Sequence, residues 1–302
     1  MQLRYFLPVL ATLVGLAGTA RADLRVVTTT PSLAAVVHAV GGAHAHVTSL
    51  SLPTQDPHFV DARPNLALEL SKADLLVLVG LELEVGWLPT LQMASRNSEI
   101  QRGAKGYLDA STLVPVLEIA TGKVDRAQGD IHPGGNPHYL IDPRRVAKVA
   151  AGLAARMGDL DPSNRQAYAA NAKSFLEKLA KWQRHWETVL GPLKGRKVVA
   201  YHHSLTYLAD WLGFEVVIHL EPKPGIPPNP GHVARVIELA KKHDVKLMIQ
   251  ESYFPTKTSE LVVQKVGAKL ALLPGGANFQ GGESYLGFVD QCVKRLSAAV
   301  QP

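Results

Sequence analysis

The chain has 302 residues, 46% of them hydrophobic, a formal net charge of +6 and a single cysteine. That length is enough for two domains or one large one, and a lone cysteine excludes an intramolecular disulfide framework. Lysines and arginines are dispersed, with no basic block and no basic patch interleaved with aromatics, so nucleic acid is not an expected partner.

In chain order, the first element is a leader. Residues 1–22 read MQLRYFLPVLATLVGLAGTARA: Arg4 near the start, an apolar run from Tyr5 to about Leu16, then Ala20-Arg21-Ala22, a small-x-small cleavage pattern. The run is short for a membrane span and contains Pro8. A cleaved signal peptide is expected, with the mature protein starting at Asp23. No later stretch approaches ~20 consecutive apolar residues, and no cysteine stands near the cleavage point to take a lipid. The chain therefore reads as a free periplasmic protein. Cys292, at helical spacing with Phe288, is expected to be a buried, inert thiol.

Short β-branched runs then alternate with amphipathic helical patterns, which predicts an α/β fold. The candidate strands are Leu24 to Thr28, His46 to Ser51, Asp74 to Val79, Lys197 to Tyr201, Glu215 to His219, Lys246 to Gln250 and Lys269 to Leu273. The run ADLLVLVG is apolar at consecutive positions, as in a strand covered on both faces of a parallel sheet. Between the two groups of strands lies one long helical pattern. Asp161 is placed to cap it and Pro162 to occupy its first turn. Its apolar stripe is Tyr168, Ala172, Phe175, Leu179, Trp182, Trp186 and Val189, spaced alternately by four and three, and both tryptophans are expected in the core. Gly191-Pro192 ends it. A helix of roughly 40 Å between two α/β halves could bridge them, so the expected organisation is a lobe over 23–160, a linking helix over 161–192 and a second lobe over 193–302. A single long bridge implies small motions between the lobes.

Twelve histidines are present, and most have ordinary helical or strand surroundings. Three stand apart: His58 in TQDPHFVDARPN, His138 in GNPHYLIDP and His202 in YHHSLTYL. His58 and His202 follow predicted strands, where open α/β sheets place their ligands. His58 and His138 share the pattern Pro-His-aromatic, and the proline restricts the backbone ahead of the imidazole. Three neutral imidazoles from separate loops could supply most of a tetrahedral metal site; three unrelated loop histidines are the competing interpretation.

These segments resemble the zinc/manganese class of solute-binding proteins that serve ABC importers, the ZnuA/TroA-like family. DPHFVDARPN resembles its first ligand loop, ADLLVLVGLELEVGWL its following strand and Gly-Leu-x-x-Glu turn, and GNPHYLIDP its second ligand loop. YHHSLTYLADWLGFE resembles the third ligand loop, in which Tyr207 follows the ligand by five residues and so selects His202 over His203. EPKPGIPPNPGHVARVIELAKKHDVKLMIQES resembles the later part of its second lobe. The resemblance covers nearly the whole mature chain and implies two Rossmann-like α/β lobes bridged by one long helix, with the metal in the cleft between them.

One departure concerns the fourth ligand. Many members have an aspartate on a late loop, where this chain has Leu273 in LALLPGGANF. Glu251, Asp61 or a water are the alternatives, and Glu251 is taken as the carboxylate of the site. His132 reads as an accessory residue and His203 as a non-ligand. Nitrogen-rich sites favour zinc over manganese, so the resemblance implies a monomeric zinc carrier that serves an inner-membrane permease, with a periplasmic metallochaperone as a further partner. A manganese or iron carrier on the same scaffold is the alternative. A zinc hydrolase or hydratase with Glu251 as general base is a weaker one, because no His-Glu-x-x-His helix is present.

Overall fold

The computed structural model describes residues 23–121, 132–223 and 225–300; the predicted leader, residues 1–22, lies outside them. Two four-stranded parallel sheets organise the chain. The first contains β1 (Leu24–Thr28), β2 (Ala45–Ser49), β3 (Leu75–Leu78) and β4 (Tyr107–Asp109) in the order β2-β1-β3-β4. The second contains β5 (Lys197–Ala200), β6 (Glu215–His219), β7 (Leu247–Glu251) and β8 (Lys269–Leu273) in the order β6-β5-β7-β8. The seven predicted strands are present with ends shifted by no more than two residues. The three-residue β4 was not anticipated; so short a segment carries no readable period.

Helices α1 (Pro31–Gly41), α2 (Pro64–Ser71), α3 (Leu88–Ser95) and α4 (Pro143–Leu160) belong with the first sheet. Helices α6 (Thr206–Leu212), α7 (Pro230–Lys242), α8 (Lys257–Val266) and α9 (Tyr285–Val300) belong with the second, and α5 (Arg165–Val189) lies between the two sets. Alternation along the strands sorts side chains to opposite faces. Val26 of β1 and Val198 of β5 point into one continuous core shared by both lobes. Their neighbours Val27 and Val199 point into separate outer cores, against α2 and α3 in one lobe and α7 and α8 in the other.

The 25-residue α5 is about 37 Å long at 1.5 Å per residue. It packs on α1 and α4 from one side and on α9 from the other, through buried Tyr168, Ala172, Phe175, Leu179 and Trp186. Two expectations need correction. Trp182 is 37% exposed, whereas Trp186 is fully buried; Trp182 lies at the edge of the stripe and covers Trp186 from the solvent side, ring centroids 5.7 Å apart. Asp161 does not cap α5, which starts after a 3-10 turn over Pro162–Asn164. Its carboxylate instead accepts from the Tyr168 hydroxyl and the Asn164 side-chain Nδ2. Cys292 is buried in α9, as expected.

Polar ties join the lobes as well. The Tyr207 hydroxyl donates to the Asn136 carbonyl at 2.7 Å and accepts from the Leu117 amide. The Tyr285 hydroxyl donates to the Leu140 carbonyl, and the Ala277 amide donates to Ser32 Oγ. Among the described residues, no helix is long and apolar enough to cross a membrane.

Candidate metal centre

His58 stands on the loop that leaves the carboxyl end of β2, and His202 on the loop that leaves the carboxyl end of β5. His138 lies just before the 3-10 turn Tyr139–Ile141 that leads into α4. The fold brings these three together: each offers a ring nitrogen, and the three atoms all lie within 4.8 Å of one another. His58 and His202 are 7% and 3% exposed. The three ring centroids are 5.2 Å apart in each pair.

Local chemistry fixes how each ring presents itself. Asp56 and Asn136 each stand two residues before a histidine, across a proline. Asp56 Oδ1 accepts the His58 backbone N–H at 3.0 Å, and Asn136 Oδ1 accepts that of His138 at 2.9 Å. The shared sequence is therefore Asx-Pro-His, in which the Asx side chain closes a turn around a stiff residue. Asp56 Oδ1 also faces His58 Nδ1 at 2.7 Å, and Glu221 Oε2 faces His202 Nδ1 at 2.6 Å. A carboxylate oxygen only accepts, so both Nδ1 atoms carry the proton and both Nε2 atoms keep a free lone pair, the tautomer a metal needs. His138 Nε2 is buried with no hydrogen-bond partner. An orphaned imidazole nitrogen beside two others prepared to donate lone pairs is the arrangement a divalent cation completes.

The electrostatics divide the histidines. Burial holds His138 well below its ordinary pKa, and charge on His202 and His58 lowers it further. Burial also pulls His202 down, but the hydrogen bond and charge of Glu221, with Glu251 and Asp56 beyond, outweigh it and leave the pKa raised. Burial raises the Glu251 carboxyl.

The other sequence candidates lie around this cluster. Glu251, at the end of β7, accepts from the Ser204 hydroxyl through Oε1, and its Oε2 is buried without a partner. It is outside the three-histidine group, and with Thr30, His138, Ser204 and Tyr253 it lines an adjoining cavity of about 100 Å³. Asp61 is exposed and likewise outside the group. Leu273 is buried at the end of β8. His203 stacks on His219 at 3.6 Å and is outside the three-histidine group. His132 does reach the site: its Nε2 is 3.2 Å from His58 Nε2. Asp56, Asn136 and Glu221 were missed as functional residues. The repeated Asx-Pro-His could have revealed the first two, whereas Glu221 has no local signature.

Residues 26–299 match the profile of a family described as ZnuA, zinc-uptake complex component A, periplasmic. The chain belongs to this family. It is a metal-binding solute-binding protein of the ABC-importer class and not an enzyme. It is 29% identical over 244 residues to a high-affinity zinc uptake system protein ZnuA of Paracoccus denitrificans, covering 70% of this chain and 71% of that one. It is 24% identical over 285 residues to a manganese-binding lipoprotein MntA of Halalkalibacterium halodurans, covering 91% and 89% of the two chains. In fold it resembles a crystal structure of ZnuA with a TM-score of 0.76 at 24% identity, covering 92% of this chain and all of the other.

Proposed function

We propose that this protein captures Zn2+ in the periplasm and delivers it to the permease of an ABC importer, with His58, His138 and His202 as ligands. The observation that carries this reading is the convergence of three imidazole nitrogens from both lobes within 4.8 Å, two with their lone pairs exposed by carboxylate-bound Nδ1–H groups. Zinc is favoured over manganese because the donors are nitrogen and because Leu273 stands where many members of the family have an aspartate. Glu251 is the nearby carboxylate: its unpartnered Oε2 would hold a water in the adjoining cavity that it lines with His138. Manganese is the second reading, favoured by the similarity to the MntA lipoprotein.

Residues 1–22 act as a cleaved leader in this account, and the mature protein is a free monomer without a lipid anchor. A periplasmic metallochaperone is a candidate source of the ion. The shared core and the polar ties between lobes support small rather than wide movements on binding. The reading is tested by competition titration. Zinc should bind 1:1 and outcompete manganese, and the triple variant His58→Ala, His138→Ala, His202→Ala should lose nearly all binding. Wild-type affinity in that variant would refute the ligand assignment, and manganese outcompeting zinc would select the second reading.

A further inference from the structure

We propose that His132 is the fourth ligand of the transported ion, so that the cleft offers four imidazole nitrogens and no carboxylate. The proposal rests on the metal-carrier reading above and names the group that completes its site.

His58 Nε2 and His132 Nε2 face each other at 3.2 Å. His58 Nδ1 is bound to the Asp56 carboxylate, and His132 Nδ1 to the Leu81 carbonyl at 2.8 Å. Both partners are acceptors, so both Nδ1 atoms carry the proton. The two Nε2 atoms then present lone pairs to each other, which repel unless a cation lies between them. Zinc–nitrogen bonds of 2.0–2.1 Å at the tetrahedral angle place two ligand nitrogens roughly 3.3–3.4 Å apart. The observed separation matches that edge within ~0.2 Å.

His132 is also held in place from several directions. Its carbonyl accepts the Gly135 amide at 3.0 Å, and the next carbonyl, of Pro133, accepts the Ala120 amide. Gly135 has φ +114°, and a Cβ there would lie 2.1 Å from Val116 Cγ1, so only glycine closes this turn. The Leu81 carbonyl belongs to a turn in which Leu81 and Glu82 have φ of 54° and 64°, a left-handed conformation that costs ~1–3 kcal/mol per residue. The buried Glu84 carboxylate holds that turn by accepting from the Val79 and Gly80 amides and the Thr29 hydroxyl. A strained turn with a buried anchor thus ends in the carbonyl that sets the His132 tautomer.

The competing donors are less well placed. Asp56 and Glu221 are committed to the Nδ1 atoms of His58 and His202, Glu251 lines the adjoining cavity outside the three-histidine group, and Asp61 is exposed. His132 meets His58 but stands outside the trio whose nitrogens all lie within 4.8 Å of one another, its ring 6.5 Å from that of His138 against 5.2 Å between His58 and His138. Coordination would draw the ring inward, by a side-chain adjustment of the kind that binding sites commonly make. An all-nitrogen set of this kind discriminates against manganese, which prefers oxygen, so His132 is a specificity-determining residue.

X-ray absorption of the zinc-loaded full chain counts imidazoles directly, and visible spectra of the cobalt-loaded chain report coordination number. The wild type should show four imidazoles and an intense four-coordinate cobalt spectrum. His132→Ala should show three imidazoles with an oxygen donor. Outer partners of metal ligands are worth 10–100-fold in affinity, so loss of this ligand is expected to cost about 100-fold or more. Three imidazoles in the wild type, which requires no variant to fold, would overturn the proposal, as would a cobalt spectrum that changes in Glu251→Gln but not in His132→Ala. Failure of the carrier reading itself looks different: cobalt and zinc would then bind the wild type and the His58→Ala, His138→Ala and His202→Ala variants equally weakly.

Discussion

Replacing Glu221 with glutamine separates two effects that one carboxylate exerts on His202. Glu221 is 5% exposed, and its Oε2 lies 2.6 Å from His202 Nδ1. The glutamine amide oxygen can still accept that N–H, so the ring should keep its position and the fold should be preserved. What is lost is the negative charge that makes Nε2 a stronger donor. Outer carboxylates of this type are worth 10–100-fold in affinity, or about 1.4–2.7 kcal/mol. Acting against this is the proton. Burial lowers the His202 pKa, but Glu221 more than reverses that and raises it above the ordinary 6.5, so in the apo protein a proton competes with the metal at Nε2. Without the charge of Glu221, burial dominates and the proton competes less. The variant should therefore bind zinc 10–100-fold more weakly at pH 8, where the proton competes less than in acid, and the deficit should narrow as the pH falls through the raised pKa of His202. Competition against a chromophoric chelator at pH 8 and pH 6, with circular dichroism as a check on folding, measures both. Equal affinities at pH 8, or a gap that widens in acid, would refute this account of His202.

Other consequences follow from the same contacts. Zinc affinity of the wild type should fall as pH drops, starting above pH 6.5, because the bound form requires neutral imidazole and the raised His202 pKa protonates the apo site first; calorimetry in buffers of different ionisation enthalpy should detect the released proton, and a flat affinity between pH 8 and 6 would contradict this. Glu84→Ala strands the Gly80 amide and the Thr29 hydroxyl and leaves the Val79 amide only its longer bond to Thr29 Oγ1, at ~1–3 kcal/mol for each stranded group, so the apo protein should lose about 2 kcal/mol or more in denaturant unfolding. Trp186→Ala should cost about 3–5 kcal/mol, whereas Trp182→Ala, at the exposed edge of the same stripe, should cost about 1 kcal/mol or less. Scattering profiles of apo and zinc-loaded protein should give radii of gyration that agree within about 1 Å; a large compaction on binding would argue against lobes fastened by a common core.

Much of the fold was legible because its signals are local. Runs such as Leu75–Leu78, buried at every position, announce a central parallel strand, and the alternating stripe of α5 announces a helix with one buried face. The stripe does not show where the lobes stop covering it, and Trp182 falls at that edge. His58, His138 and His202 were legible through loop chemistry and through resemblance to the family. Glu221 was not, because it lies 19 residues from His202 and meets it only through pairing of β5 with β6, which ends with Ala200 beside His219 and the Glu221 amide on the Tyr201 carbonyl. His132 was legible as a loop histidine, but its direction depends on the Leu81 carbonyl, presented by a turn 51 residues away in sequence. Pattern reading finds elements and local motifs; partners joined by tertiary pairing leave no period to read.

The central claim is that one divalent ion sits where His58, His138 and His202 converge. Anomalous diffraction above and below the zinc absorption edge, on crystals of the zinc-loaded protein, tests it most directly. The account predicts a single strong peak between the lobes, bonded to the Nε2 atoms of these three residues at about 2.0–2.1 Å. A peak elsewhere, or one coordinated without ligands from both lobes, would contradict it.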